Sequence, residues 1–205
     1  MKITNKNSAL VIIDIVNSCC SSKGETPEFN ISFKKIRKMV PKLITFIEEY
    51  KKQGGRVIYV KITPWNKKHL AKNLVELYKD PQCIYYSDDT TGFDEAFYKV
   101  KPEKNDYIIT KNTYDTFANP EFDKLLKKLG VQYLIMTGVF GEGCVESTIQ
   151  CGFSKGYNFV MLKDMIETMD RPDRQALQQA LKDVIWPTNF GKTITSKEFL
   201  KLLAP

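Results

Sequence analysis

The stretch that decides the fold reads "VQYLIMTGVFGEGCVESTIQCGFSKGY", from Val131 to Tyr157. An apolar run of strand type leads into a turn of glycines and an acid, and a lone cysteine, Cys144, follows where a helical segment begins. A buried structural cysteine needs no such surroundings, whereas a thiol at a helix N-terminus gains from the helix dipole and from unsatisfied N–H groups. The stretch therefore predicts a strand, a turn and a helix, with a candidate nucleophile where they meet.

Similar apolar runs alternate with amphipathic segments over the rest of the chain. The predicted strands are residues 9–16, 56–62, 106–110, 131–137, 158–164 and 191–195. Six short strands that alternate with helices indicate a parallel sheet covered on both faces, with right-handed crossovers. The predicted fold is an α/β, three-layer α/β/α sandwich around a six-stranded, doubly wound, Rossmann-like sheet. No repeat or linker divides the chain, so a single domain over residues 1–205 is expected.

Three helices carry predictions about their ends. The segment "NPEFDKLLKKLG" predicts a helix with Asn119 as N-cap, Pro120 in the first turn and Gly130 beyond its end. In residues 34–52, Pro41 weakens the first half of the helical pattern, which suggests that the first turn begins there. The terminal segment "SKEFLKLL" predicts a helix capped by Ser196.

Composition and charge exclude several classes of protein. No apolar run approaches the roughly 20 residues that a bilayer requires, and a carboxylate, Asp14, interrupts the N-terminal apolar stretch, which a signal peptide would not allow. We therefore expect a cytoplasmic protein with no membrane partner. The formal net charge is +7, but the lysines are dispersed among acids, so no nucleic-acid partner is expected.

The cysteines and the histidine limit the possible chemistry. The cysteines are Cys19, Cys20, Cys83, Cys144 and Cys151. Their number is odd and no pair has CxxC spacing, so neither a disulfide framework nor a zinc knuckle is indicated. The only histidine is His69, which excludes a metal site built on two or three histidines of one chain. Catalysis by a cysteine and a histidine would have to use His69.

Three polar side chains fall at predicted strand ends, where doubly wound sheets bind their ligands. Asp14 interrupts the first strand, Lys111 ends the third, and Cys144 follows the fourth. Each has an ordinary alternative: a structural acceptor, a surface lysine and a small core residue. Together they fit one chemistry, because an ammonium favours the thiolate and a carboxylate accepts the thiol proton and returns it to a leaving group.

The same end of the sheet is expected to carry the rest of the site. The N–H groups of the glycine turn, together with that of Cys144, are candidates for an oxyanion hole. The candidate pocket and oxyanion residues are Asn17, Trp65, Tyr114, Phe117, Phe140, Gly141 and Gly143. The aromatic residues are also compatible with a place in the core, and this alternative is stronger for Phe117 than for Trp65.

Four segments in order resemble the isochorismatase-like cysteine hydrolases, a superfamily that includes nicotinamidases, carbamoylsarcosine amidases and ureidoacrylate amidohydrolases. They are "ALVIIDIVNS", "DYIITKNTYDTF", "LGVQYLIMTGVFGEGCVESTIQCGFSKGY" and "IETMDRPDRQALQQAL". The resemblance covers nearly the whole chain and implies catalytic roles for Asp14, Lys111 and Cys144. It also implies a thioester-like intermediate, a cis peptide bond between Val139 and Phe140, and a homo-oligomer, either a dimer or a tetramer.

The chain departs from the family pattern at three places. Val16, Ser18 and Cys19 stand where the family commonly has glutamine, aspartate and phenylalanine. Gly141 stands where a threonine is common. Pro64 and Asn66 replace the metal-binding aspartate and histidine of nicotinamidases, so neither a metal nor another cofactor is expected.

These observations predict a cysteine hydrolase that cleaves a C–N bond of a small-molecule amide, ureide or carbamoyl compound. The alternative is a non-catalytic or redox-active protein of the same fold, such as a thiol sensor that uses Cys144 with Cys151 or Cys19.

Overall fold

Each of the six apolar runs forms a strand. The computed structural model of the chain describes residues 2–25, 31–64, 67–77 and 95–203. The strands are β1 (Ser8–Ile13), β2 (Val57–Ile62), β3 (Tyr107–Lys111), β4 (Tyr133–Gly138), β5 (Asn158–Ile166) and β6 (Gly191–Ile194). The helices are α1 (Asn17–Cys20), α2 (Lys34–Lys52), α3 (Lys72–Leu77), α4 (Pro120–Lys128), α5 (Glu146–Ser154), α6 (Pro172–Ala180), α7 (Trp186–Asn189) and α8 (Ser196–Leu203). Trp65 and Cys83 lie outside the described residues.

The strands form one sheet in the order β3-β2-β1-β4-β5-β6, and all five pairings are parallel. The order runs outward from β1 to one edge and then from β4 to the other, so the chain reverses direction across the sheet between β1 and β4. In open α/β sheets, ligands bind in the crevice outside the carboxyl ends of the strands at such a reversal. The predicted fold is confirmed, and it directs attention to the residues that follow β1 and β4.

Both faces of the sheet are covered by apolar side chains, which explains why β1 has no polar alternation. Leu10 and Ile12 point to one face and pack in a cluster that includes Leu43 of α2 and Phe199 of α8. The intervening β1 residues belong to a second cluster on the opposite face, to which α4, α5 and α7 contribute Phe122, Ile149 and Trp186. No described helix combines the length and apolar character that a bilayer crossing requires.

Helix α2 begins at Lys34, and the expectation that it begins at Pro41 is wrong. Pro41 lies inside the helix. The carboxylate of Asp170, from the loop after β5, accepts hydrogen bonds from the backbone N–H groups of Lys34 (2.6 Å) and Lys35 (3.2 Å). A distant acid therefore caps the first turn, and the burial of Ile36, on the first turn, anchors it to the core.

Two other helix ends are defined by side-chain caps. The Asn119 side chain accepts a hydrogen bond from the Glu121 backbone N–H at 3.0 Å, so the predicted cap of α4 is confirmed. For α8 the capping residue is Thr195 rather than Ser196. Thr195 Oγ1 accepts from the Glu198 backbone N–H (3.3 Å), and Glu198 Oε2 accepts from the Thr195 backbone N–H (2.7 Å), which is a reciprocal capping box.

Candidate active site

Asp14 follows β1 and takes a backbone conformation that few residues adopt. Its φ angle is 51°, in the left-handed region that aspartate and asparagine tolerate better than most other side chains. Its backbone N–H still donates to the Val60 carbonyl oxygen of β2 at 2.9 Å. The backbone therefore changes direction at the carboxyl end of β1, while Asp14 is still hydrogen-bonded to the neighbouring strand β2.

Lys111 is the last residue of β3, two strands away from β1, a distance of about 10 Å that an extended lysine side chain can span. Its Nζ lies 2.8 Å from Asp14 Oδ2 and 3.2 Å from Cys144 Sγ, and it donates to the Thr113 carbonyl oxygen at 3.1 Å. Three partners match the three donors of an ammonium group. The Lys111 side chain is 0% exposed and that of Asp14 is 4% exposed, so the ion pair is buried.

Cys144 reaches the same place through a tight turn after β4. Gly138 pairs with Ile13 of β1 and has a φ angle of 111°. A Cβ atom there would lie 2.1 Å from the Ile13 carbonyl oxygen, so only glycine fits. The cis peptide bond implied between Val139 and Phe140 is present. Residues Gly141–Val145 form a π-helical turn that continues into α5, so Cys144 lies two residues before α5 begins.

Two threonines fix the start of α5 to the segment that follows Lys111. Thr148 Oγ1 donates to the Cys144 carbonyl oxygen at 2.8 Å and accepts from the Thr116 backbone N–H at 3.1 Å. The two threonine hydroxyl oxygens are 3.0 Å apart. All of these groups are buried, so the position of Cys144 relative to the end of β3 is set by hydrogen bonds that do not compete with water.

Burial dominates the ionisation of the thiol. It raises the pKa of Cys144 to about 12; the Asp14 carboxylate also raises the pKa, whereas the Lys111 ammonium lowers it. The predicted effect of the lysine has the right direction, but burial outweighs it, so the resting sulfur is a neutral thiol. Burial alone would lower the pKa of Lys111, but the negative charge of Asp14 and the hydrogen bonds to Asp14 and Cys144 outweigh burial and raise the pKa above the ordinary lysine value. Lys111 is therefore an ammonium at neutral pH.

The glycine turn offers fewer free donors than its sequence suggests. The Gly141 N–H donates to the Glu167 carbonyl oxygen at 3.1 Å, and the Gly143 N–H donates to the Phe140 carbonyl oxygen at 3.0 Å. Each is therefore occupied, and in this conformation neither is available to an oxyanion. The N–H of Cys144 itself remains the predicted oxyanion donor.

Comparison with known proteins identifies the family of this constellation. The family model described as "Isochorismatase domain" matches residues 8–198. The chain belongs to the isochorismatase family. This confirms the resemblance drawn from the four sequence segments.

Individual isochorismatase-family relatives are distant in sequence and close in fold. The ureidoacrylate amidohydrolase RutB of Variovorax paradoxus is 24% identical, with 97% of this chain and 82% of that protein covered. The crystal structure of a cysteine hydrolase from Pseudomonas syringae superposes with a TM-score of 0.81 at 21% identity, covering 98% of this chain and 94% of that one. The N-carbamoylsarcosine amidase of Thermoplasma acidophilum gives a TM-score of 0.65 at 20% identity, with 96% and 97% covered.

The remaining predicted pocket residues are divided between the site and the core. Phe140 is half-buried in the turn of residues 138–145 that carries Cys144, called the nucleophile turn below. Its ring centroid lies 5.7 Å from that of Phe33. Asn17 begins α1, and its backbone N–H donates to the Ala96 carbonyl oxygen at 2.9 Å. Tyr114 is half-buried three residues after Lys111. The structure does not test a pocket role for Asn17, Tyr114 or Phe140, so that role stays a prediction.

Phe117 packs in the hydrophobic core, and its predicted pocket role stays a prediction. It is 7% exposed, and its ring packs edge-on against Phe122 with centroids 4.8 Å apart. A Cβ atom added to Gly152 of α5 would lie 2.6 Å from the Phe117 ring, so the ring fills the space under that helix.

The departures from the isochorismatase pattern after Asp14 each have a structural counterpart. Val16 is completely buried and forms an antiparallel bridge with Phe97. Ser18 Oγ donates to Glu95 Oε1 at 3.2 Å. Cys19 is half-buried, and the pKa of its thiol is raised by burial and then by the charge of Asp14. An apolar, a hydroxyl and a thiol side chain thus replace the amide, acid and ring that are common in the family.

The metal-binding prediction concerns residues that are only partly described. Pro64 is exposed and Asn66 lies outside the described residues, while His69 is exposed. In the parts of the chain that the structure describes, no group of three or more His, Cys, Asp or Glu side chains is arranged to hold a metal ion.

A polar cluster behind the nucleophile turn was not predicted. Glu142, two residues before Cys144, has a side chain that is only 4% exposed and accepts from Thr168 Oγ1 at 2.7 Å, and burial raises its pKa. Glu167 Oε1 accepts from the Thr168 backbone N–H (2.9 Å) and from Gln178 Nε2 (2.7 Å). The sequence gives no signal for Gln178, because it lies among polar residues that are typical of an exposed helix face.

A second unpredicted contact holds the first turn of α5. The indole N–H of Trp186, which is 0% exposed, donates to the carboxylate of Glu146, and the other oxygen of that carboxylate accepts from Gln150 Nε2 at 2.7 Å. An acid two residues after the candidate nucleophile is therefore used for packing α5 against α7, and it is not directed at the site.

Proposed function

We propose that the protein is a cysteine hydrolase of the amidohydrolase type, which cleaves a C–N bond of a small amide, ureide or carbamoyl compound. Family membership and relatives named as amidohydrolase and amidase indicate the class, a hydrolase acting on C–N bonds. The single observation that supports the catalytic assignment is the position of the buried Lys111 ammonium, between the carboxylate of Asp14 at 2.8 Å and the sulfur of Cys144 at 3.2 Å.

We assign each of the three residues a role that the geometry supports. Cys144 is the nucleophile and Asp14 the general base. Asp14 Oδ2 pairs with Lys111, whereas Oδ1 is buried and has no hydrogen-bond partner among the described residues, so a lone pair is available for the thiol proton. Lys111 stays protonated, holds the carboxylate in place and stabilises the negative charge that develops on sulfur.

The reaction then proceeds in two steps. As Sγ attacks the carbonyl carbon, the thiol proton passes to Asp14. When the tetrahedral intermediate collapses, the C–N bond breaks and Asp14 returns the proton to the leaving nitrogen, which leaves a thioester on Cys144. Asp14 then takes a proton from a water molecule that attacks the thioester, and the proton goes to sulfur as the C–S bond breaks. Acid product and free thiol are regenerated.

A neutral resting thiol is compatible with this scheme. Burial disfavours a thiolate in the resting enzyme, because it raises the pKa of Cys144 to about 12. The charge therefore moves onto sulfur only during the attack, when the carbonyl carbon is present to share it. The chain has one histidine, and His69 is exposed, so the base assigned to the thiol is Asp14.

The test is a screen of small amides, ureides and carbamoyl compounds in which released ammonia is measured. We expect at least one substrate to be hydrolysed by the wild-type protein, and Cys144→Ala, Lys111→Met and Asp14→Asn to lower its turnover by at least about a thousandfold. Wild-type protein that is as inert as all three variants would reject the proposal and favour a non-catalytic or redox-active member of the fold.

A matched control comes from the cysteine of α5, the helix that follows Cys144. Cys151 lies on α5 seven residues after Cys144 and is half-buried. Cys151→Ala removes the same side-chain group as Cys144→Ala but leaves Cys144, Asp14 and Lys111 unchanged, so turnover should stay within about twofold of the wild type. Equal loss in Cys144→Ala and Cys151→Ala would show that the thiols affect folding and not chemistry.

Several other properties stay predictions. They are a homo-oligomer, no metal or other cofactor, no nucleic-acid partner and a cytoplasmic location. Light scattering coupled to size-exclusion chromatography tests the first of these directly.

A further inference from the structure

The space that a side chain at position 141 would occupy is filled by another residue. Gly141 is buried in the turn that carries Cys144. A Cβ atom built on Gly141 would lie 2.2 Å from Gln178 Oε1 and 3.0 Å from Gln178 Cδ. Atoms that are not bonded cannot approach so closely. The terminal amide of Gln178 therefore contacts the Gly141 backbone, and a side chain at position 141 would require the end of the Gln178 side chain to move.

Gln178 is held in this position by the residue that also holds the turn. Its side chain comes from α6, the residue is 3% exposed, and Nε2 donates to Glu167 Oε1 at 2.7 Å. The Glu167 carbonyl oxygen accepts from the Gly141 N–H, and the Glu167 N–H donates to the Gly138 carbonyl oxygen, both at 3.1 Å. Gln178 and Glu167 are thus connected by hydrogen bonds to the backbone of Gly138 and Gly141.

The amide oxygen of Gln178 is kept there at a cost. Within the described residues, this buried Oε1 has no hydrogen-bond partner. A buried acceptor without a partner lowers the stability of the fold. A methyl-bearing side chain at position 178 would avoid that cost but would lose the bond to Glu167. The arrangement is therefore understandable if the amide is needed to hold Glu167 and to cover Gly141 at the same time.

We propose that Gln178 is a positioning residue for Cys144: its amide replaces the missing side chain of residue 141 and, through Glu167, fixes the nucleophile turn. The inference rests on the proposed role of Cys144 as nucleophile. Cys144 lies three residues after Gly141 in the same π-helical turn, so a shift of the turn changes the 3.2 Å separation of Sγ from Lys111 Nζ. A misplacement of about 1 Å can cost on the order of a hundredfold in rate.

The steric match leads to a double-mutant test. Gly141→Ala introduces a clash with the Gln178 amide, Gln178→Ala leaves a hole above Gly141, and the double variant removes the clash while the new methyl group fills part of the hole. The rate constant for alkylation of Cys144 by iodoacetamide is measured for all four proteins by peptide mass spectrometry. We expect each single change to lower the rate about tenfold or more, and the double variant to return to within about threefold of the wild type. If the effects of the two substitutions on the rate constant multiply, so that the double variant is the slowest, the proposal is overturned.

The pH dependence separates positioning from a general loss of structure. With Asp14 in reach of the thiol, the wild-type rate should change little between pH 6 and 9. In Gln178→Ala, Cys144 should behave like an unassisted thiol, with a rate that rises about tenfold per pH unit. An alanine variant whose rate is lowered by the same factor at every pH would contradict the positioning role.

A volume-conserving variant covers the case in which Gln178→Ala does not fold. Gln178→Met keeps the side-chain bulk over Gly141 and loses only the bond to Glu167, so a loss of about threefold to tenfold is expected. An unchanged rate in Gln178→Met, together with an unchanged pH profile, would also overturn the proposal.

The control is the neighbouring glutamine. Gln179 is exposed, and its Nε2 donates to Asp183 Oδ2 at 2.7 Å on the outer side of the helix. Gln179→Ala should leave the alkylation rate of Cys144 unchanged. The outcomes also separate the two proposals: absence of amide hydrolysis by the wild type rejects the proposed function, whereas hydrolysis by the wild type with independent effects of Gly141→Ala and Gln178→Ala rejects only the role of Gln178.

Discussion

Replacing Lys111 with methionine removes the ammonium from the site and keeps a side chain of similar length. It leaves the Asp14 carboxylate, which is 4% exposed, without its partner. At a separation of 2.8 Å and an effective dielectric constant of about 20, the lost attraction is on the order of 6 kcal/mol. Breaking a buried pair by removing one partner typically costs about 3–5 kcal/mol, and we expect a loss in that range for Lys111→Met.

Urea denaturation followed by circular dichroism measures this loss, and a second variant tests its origin. In Asp14→Asn/Lys111→Met, no buried charge remains unpaired, so the free energy of unfolding should recover by at least about 2 kcal/mol relative to Lys111→Met alone. A cost below about 1 kcal/mol for Lys111→Met, or effects of the two substitutions that simply add, would refute the idea that the ammonium and the carboxylate form a buried, mutually dependent pair.

Three further predictions concern the nucleophile and its support. Thr148→Val removes the hydroxyl that bonds to the Cys144 carbonyl and to Thr116, and should lower the free energy of unfolding by about 1–3 kcal/mol in urea titrations. Gly138→Ala places a Cβ atom 2.1 Å from the Ile13 carbonyl oxygen and should cost about 2–4 kcal/mol; a loss below about 1 kcal/mol would show that the junction can relax. Because the pKa of Cys144 is raised to about 12 from about 8.5 in the unfolded chain, the stability that this shift contributes is fully present below pH 8.5 and is lost as pH rises toward 12. The wild type should therefore lose about 2 kcal/mol more than Cys144→Ala between pH 8 and pH 10, and equal losses would contradict the buried neutral thiol.

The sheet could be predicted because its strands are apolar on both faces, and the three candidate catalytic residues because they stand at strand ends. Their ionisation could not be predicted. The sequence places a lysine and a helix N-terminus near Cys144, both of which favour a thiolate, but it does not show the burial that raises the pKa to about 12. The availability of the Gly141 N–H was likewise hidden, since its acceptor is the carbonyl oxygen of Glu167, on another strand end.

Helix boundaries show the same division between local and distant causes. The start of α2 at Lys34 depends on Asp170, more than 130 residues away, which no local pattern indicates. The cap of α8 is different, because Thr195 and Glu198 have the spacing of a capping box and the sequence alone would have been sufficient to find it. The role of Gln178, like the start of α2, depends on a distant residue. Its partner Gly141 lies on a different element, and only the folded chain brings them together.

The most direct test of the central claim compares the thiol of Cys144 with that of Cys151 on α5. Burial raises the pKa of Cys151 to about 11 and that of Cys144 to about 12, and Cys151 is the more exposed of the two, so without activation Cys151 would be alkylated faster at pH 7. If Asp14 accepts the proton of Cys144 as the bond to carbon forms, the order reverses, and iodoacetamide at pH 7 should alkylate Cys144 faster than Cys151 in the wild type and slower in Asp14→Asn. Faster alkylation of Cys151 in the wild-type protein would contradict the assignment of Cys144 as an activated nucleophile.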